Sequence, residues 1–261
     1  MSEPRTDQLL AEITPPIGRI TLNRPDKRNA LNSGMWQGLT QLAEELSQDS
    51  RLRVVLLTGA GEEAFSAGAD IIEMRQSLPD PPKMQLMQQA VLDAQVAWER
   101  IPIPTIAMIR GACTGGGCGL ALSCDLRLAT PEAFFAIPPA KLGLAYSLAD
   151  TKRLYDLVGP SRAKEILYTG RRIEATEALR LGMINHIVAP SELEERALAL
   201  AHEIAGNAPN SVRAAKAVVS LISSGIDAET PDSQRYYDES FSSPEFLEGA
   251  RAFMEKRTPK F

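Results

Sequence analysis

The chain has 261 residues and a net charge of -5, from 28 Lys and Arg against 33 Asp and Glu. That length suits one large domain, or one domain with a smaller appendage. The acidic balance leaves no basic stripe of the kind that wraps nucleic acid, although a few local Lys and Arg residues suffice to hold an anionic cofactor.

The N-terminus, MSEPRTDQLL, lacks the apolar core of a leader peptide. No stretch reaches the ~18 apolar residues of a membrane span, so a cytoplasmic protein is expected. Ile17–Leu22 reads as a strand ending in a turn at Asn23-Arg24-Pro25-Asp26. Asn32 or Ser33 can cap a helix through Met35, Leu39, Leu42 and Leu46, which recur at helical spacing. Val54–Thr58 is a continuous apolar run bounded by Gly59, the pattern of a buried strand. A glycine-rich turn and Phe65-Ser66-Ala67-Gly68-Ala69-Asp70 follow. Leu78 to Lys83 holds three prolines and reads as a mobile loop. A helix then runs to Arg100, and Thr105–Ile109 is a second apolar strand.

Gly111 to Asp125 reads as a turn into a helix, with short strands at Leu126–Ala129 and Phe134–Ala136. From Ser161 onward the pattern is mostly helical, with a strand at Ile184–Val188. A strand, a turn of small residues and a helix occur twice, at Val54–Asp70 and at Thr105–Ala121. Two similar units would thus deliver two helix N-termini to one place.

Cys113, Cys118 and Cys124 lie in one stretch with no histidine near them, a poor match to zinc spacing, so no metal is expected. They read as small buried residues. With only two histidines, His186 and His202, both away from these motifs, a Ser-His-Asp or Cys-His hydrolase is not expected. Gly115-Gly116-Gly117 opening a helix fits two purposes, a tight turn for close packing or a cradle for negative charge. The first N–H groups of a helix lack internal partners, and the helix dipole adds positive character there. Two such turns can bracket one oxygen that develops charge.

These same residues carry a family resemblance. Asn23 to Asn32 (NRPDKRNALN), Phe65-Ser66-Ala67-Gly68-Ala69-Asp70-Ile71, Gly111 to Asp125, and the ending Phe253-Met254-Glu255-Lys256-Arg257 with Phe261 resemble the crotonase (enoyl-CoA hydratase/isomerase) superfamily, in the right order. The resemblance implies an α/β fold, a spiral of ββα units over residues 1–190. It also implies a helical region over 191–261 that assembles trimers or dimers of trimers. It implies an acyl-CoA thioester as substrate, coenzyme A being part of that substrate and no separate cofactor. The backbone N–H groups of Ala69 and Gly116 would form the oxyanion hole. Lys27 and Arg28 would lie near the CoA phosphates or adenine, and Ala67, Asp70, Ile71 and Phe261 would complete the CoA site.

The departures are more informative. Hydratases of the family carry two glutamates, and the matching positions here are Gly119 and Pro139. Some isomerases and dehalogenases place an aspartate where this chain has Ser147. Ordinary hydration of an enoyl-CoA should therefore be lost or very slow, since such groups contribute about 10²–10⁴-fold each. The loop Gly143 to Asp150 resembles methylmalonyl-CoA decarboxylases, in which a tyrosine at the Tyr146 position helps orient the substrate carboxylate. Against this, that subgroup has a histidine at Ala69 and a glutamate at Gly119. Decarboxylation of a malonyl-type thioester needs an oxyanion hole and no base. Asp150 reads as the N-cap of the following helix or as a displaced acid/base group. Glu73 and Glu99 are further candidates for a relocated base. Three functions stay open: enolate chemistry, including malonyl-type decarboxylation; hydration or isomerisation with a relocated carboxylate such as Asp150; and acyl-CoA binding without turnover.

Overall fold

The computed structural model describes residues 7–261, so the first six residues of the N-terminal stretch read for a leader lie outside it. The strands form two sheets, of six and four strands. Six strands form the first sheet in the order β1 (Leu9–Thr14), β2 (Ile17–Leu22), β3 (Val54–Gly59), β5 (Thr105–Ile109), β7 (Leu126–Ala129) and β10 (His186–Ile187). Its pairs are parallel except β1 with β2. The second sheet has short strands in the order β4 (Ala64–Ser66), β6 (Ala112–Thr114), β8 (Phe134–Ala136) and β9 (Arg172–Glu174).

The apolar runs of β3 and β5 have a simple cause. Side chains alternate across a strand. Val55, Leu57, Ala107 and Ile109 face one buried cluster, while Val54, Leu56, Ile106 and Met108 face another. A strand buried on both faces leaves no polar positions to alternate with. The first cluster is closed by α1 (Ser33–Gln48) and α3 (Pro81–Glu99), the second by α7 (Leu193–Ala205).

The repeated unit expected from sequence is present as β3–β4–α2 (Ile71–Ser77) and β5–β6–α4 (Gly116–Leu122). Asn32 caps α1 by accepting from the Met35 amide at 2.9 Å. The segment Leu78–Lys83 is not one loop. Asp80 caps α3, which begins at Pro81, because proline at the first helical positions forfeits only amides that have no partner there. The strand at Ile184–Val188 shrinks to β10.

α5 (Leu148–Thr169) begins earlier than the sequence reading placed it and is interrupted at Gly159. α6 (Ala175–Leu181) follows. α7 falls inside the span expected for the oligomerisation region, yet Leu193, Ala197 and Ala201 are buried against the first sheet. Helices α8 (Pro209–Ser223), α9 (Pro231–Ser242) and α10 (Pro244–Glu255) bury only Ala252 and leave Phe241, Phe246 and Phe253 exposed. A cleft of about 990 Å³ separates them from the core, with Glu99, Arg153, Lys216 and Tyr236 among its walls. No helix among the described residues is long and apolar enough to cross a membrane.

Candidate active site

The two glycine turns meet. Gly68 has φ +93° and Gly115 φ +52°, a region that favours residues without Cβ. A Cβ on Gly68 would lie 2.8 Å from the Thr114 carbonyl and 3.3 Å from the Gly116 nitrogen. A Cβ on Gly116 would lie 4.0 Å from the Ala69 nitrogen. Neither the Ala69 nor the Gly116 amide finds an acceptor among the described residues. Two unpartnered N–H groups from two units therefore lie side by side, one of them at the first position of α4.

The surroundings hold this pair still. Thr114 Oγ1 donates to the Ala67 carbonyl at 2.8 Å, tying one turn to the other. The turn at Pro25–Lys27 is laced to the first segment, with the Ala67 amide on Arg28 O at 2.9 Å and the Leu31 amide on Gly68 O at 2.7 Å. The Asp70 carboxylate caps α2 and pairs with Arg24 at 2.9 Å. Burial pushes that carboxyl up, but the Arg24 and α2 donors outweigh it and hold it below its ordinary value. Its side chain is thus engaged within the protein, whereas Ile71 is exposed. Lys27 and Arg28 are also exposed, with Arg28 3.2 Å from Glu63. The Phe261 ring lies near Gly249 at the end of the tail.

Asp150 is not the cap of α5. Ser147 is the cap, accepting from the Asp150 amide at 3.0 Å, which sets Asp150 one turn inside with its side chain turned to the core. The carboxylate is 7% exposed. Ser147 Oγ donates to its Oδ2 at 2.8 Å, and Arg153 Nη1 lies 3.2 Å from Oδ1. A Cβ on Gly119 would lie 2.6 Å from that same Oδ1 and closer still to Gln95 Nε2. The space opened by the missing side chain at 119 is filled by Asp150 from α5 and Gln95 from α3. Burial pushes the Asp150 carboxyl up, against the opposing pull of Ser147, Arg153 and Gln95.

Tyr146 is half-buried, and its hydroxyl is buried with no hydrogen-bond partner among the described residues. Burial and the neighbouring Asp150 charge push the phenol well up, so it stays protonated. Of the other carboxylates weighed, Glu73 accepts from the Ser33 amide at 2.8 Å, and Glu99 pairs with Arg153 at 2.8 Å. The three cysteines are free and buried.

Two residues at the site escaped the sequence reading. Trp36 presses its indole on Gly116, to which an added Cβ would approach within 3.1 Å. Gln95 is fully buried. Its signal was present: it is a polar residue on the stripe that includes Ala94 and Trp98, the buried face of α3.

Comparison with known proteins shows the family. The profile of the family described as Enoyl-CoA hydratase/isomerase matches residues 12–261. A short-chain-enoyl-CoA hydratase of Clostridium acetobutylicum is 37% identical over 243 residues, 92% of each chain. An enoyl-CoA hydratase/isomerase family protein from Hyphomonas neptunium superposes with a TM-score of 0.94 at 39% identity, over 99% of each chain. The enoyl-CoA hydratase from Bacillus anthracis superposes with a TM-score of 0.88 at 35% identity, over 98% of this chain and 99% of the other.

Proposed function

The chain belongs to the enoyl-CoA hydratase/isomerase family, and from that premise we propose that it moves a proton on an enoyl-CoA through a thioester enolate, with Asp150 as its single acid/base. The thioester oxygen would sit between the Ala69 and Gly116 amides, whose positive ends stabilise the charge that develops as the enolate forms. The ionised Asp150 carboxylate takes a proton from the carbon next to the thioester. It returns that proton two carbons further along, so the double bond shifts and no atom is gained or lost. One carboxylate suffices for this cycle. Hydration in the manner of two glutamates needs a second, and Pro139 supplies none.

One observation carries the reading. Asp150 reaches two of the three places where the family resemblance puts a carboxylate: its Oδ1 borders the space above Gly119, and its Oδ2 accepts from Ser147. Burial raises the Asp150 carboxyl above its ordinary value, the direction that suits a group which must both accept and return a proton. Lys27, Arg28, Ala67, Ile71 and Phe261 are proposed to border the CoA moiety, and the exposed apolar tail to join three copies of the chain.

A second reading, malonyl-type decarboxylation, draws support from the Tyr146 hydroxyl, a buried donor without a partner. Turnover assays separate the two. 3-Hexenoyl-CoA should be converted to the 2-enoyl isomer, and Asp150→Asn should abolish this. Crotonyl-CoA should be hydrated poorly. Carbon dioxide release from methylmalonyl-CoA that survives in Asp150→Asn, with no isomerisation by the unmodified protein, would overturn the proton-transfer reading in favour of decarboxylation.

A further inference from the structure

The carboxylate is not held by its own helix alone. Gln95, fully buried on α3, uses both ends of its carboxamide. Its Oε1 accepts from Arg153 Nη1 at 3.3 Å. Its Nε2 donates to the Gly116 carbonyl at 3.4 Å and borders, together with Asp150 Oδ1, the space above Gly119, where it favours the ionised form of that carboxylate. Arg153 in turn reaches Asp150 at 3.2 Å and Glu99 at 2.8 Å. A buried amide that is so fully engaged has little freedom to rotate. It connects the oxyanion-hole turn of α4 with the first turn of α5, two elements that otherwise meet at the bare Gly119.

We propose that Gln95 is a positioning residue for proton transfer, fixing the Asp150 carboxylate in the space above Gly119 and in register with the Gly116 amide. This rests on the assignment of Asp150 as the acid/base. The glycine at 119 and the glutamine at 95 then form one device. A side chain at 119 and the Gln95 carboxamide cannot share the space, so the carboxylate arrives from α5 and a neutral arm from α3 aims it. Displacing a reacting group by about 1 Å can cost on the order of 10²-fold in rate. Loss of Gln95 should therefore slow proton transfer while leaving CoA binding, which involves other residues, nearly unchanged.

Exchange of the α-protons of butyryl-CoA with solvent deuterium, followed by mass spectrometry, reads the step without requiring the natural substrate. The full-length protein is compared with Gln95→Leu, Gln95→Glu and Asp150→Asn across pH. Gln95→Leu should slow exchange about 10- to 100-fold at saturating butyryl-CoA, with half-saturation changed less than about twofold. The rise of the rate with pH should move to higher pH in Gln95→Leu, because one donor that favours the ionised carboxylate is gone. It should move the same way in Gln95→Glu, which keeps the size of the side chain but adds a like charge beside Asp150. The other charged or titratable groups around Asp150 are Arg153, the Glu99 paired with it, and Tyr146, beyond which lie Cys118 and Cys113, and none is altered. A merely structural role would lower the folded fraction and leave this profile in place. Loss of exchange in Asp150→Asn with an unchanged rate and profile in both Gln95 variants overturns the role of Gln95 alone. Unchanged exchange in Asp150→Asn, or none in the unmodified protein, overturns both assignments.

Discussion

Replacing Gly119 by alanine isolates the feature on which the site depends. Gly119 lies within α4, and its amide bonds the Gly115 carbonyl at 3.1 Å in ordinary helical fashion. Its backbone needs no special freedom, because its φ is not positive. Intrinsic preference alone predicts that alanine stabilises the helix by about 0.5–1 kcal/mol. The added methyl, however, would lie 2.6 Å from Asp150 Oδ1 and closer to Gln95 Nε2. These atoms belong to buried, hydrogen-bonded side chains that cannot simply swing into water. Overpacking of this kind costs about 1–3 kcal/mol, which leaves a net loss of up to roughly 2.5 kcal/mol. Urea unfolding should show a lower midpoint at unchanged slope. The α-proton exchange rate should fall by about 10-fold or more as the carboxylate is pushed aside. An alanine variant that is more stable and exchanges at the original rate would refute the placement of Asp150 and Gln95.

Asp150→Asn should raise stability at neutral pH while abolishing exchange. The folded-state carboxyl lies above its ordinary value of 3.8, so its contribution to stability is full below that value and is lost as pH rises through the folded value. The gain from asparagine should accordingly be present at pH 7 and vanish near pH 3 in thermal scans; a gain of equal size at both would contradict the burial argument. Tyr146→Phe should leave stability unchanged or slightly higher, by up to ~1 kcal/mol, since the hydroxyl it removes has no partner; a clear loss of stability would mean that the hydroxyl is bonded. If that hydroxyl meets the substrate, turnover should fall about 10-fold in the same variant, and full turnover on every accepted substrate would end the decarboxylase analogy. Sedimentation at micromolar concentration should give three or six times the chain mass of 28.4 kDa, because the tail exposes Phe241, Phe246 and Phe253 with nothing among the described residues to cover them. A monomer mass would remove that proposal.

The sheet core and the two glycine turns were legible because their signals are local. The apolar runs at Val54 and Thr105 need burial on both faces, and the glycines at 68 and 115 need positive φ. The outermost strand β1 was missed because its side chains are mostly exposed and carry no clear alternation. The second sheet was only partly read: all four of its strands have three residues and pair with distant partners, and only β8, with its two phenylalanines, stood out as a strand. Asp150 illustrates the limit well. Its neighbours in sequence suggested a cap, and the capping bond does exist, but Ser147 makes it. What places the carboxylate is the gap above Gly119, across α4 and α3, and no window of sequence contains both sides of that gap. Gln95 was concealed for the same reason, although a glutamine on a buried stripe was itself a clue.

The most direct test of the enolate assignment is the near-ultraviolet spectrum of acetoacetyl-CoA on binding, at a pH where the free compound is mainly in its keto form. Two amides poised at one point should stabilise the enolate, so its absorption band should grow with protein concentration and saturate as the site fills. A bound ligand that shows no enolate band, under conditions where displacement by another acyl-CoA proves occupancy, would contradict the pairing of Ala69 and Gly116 as an oxyanion hole.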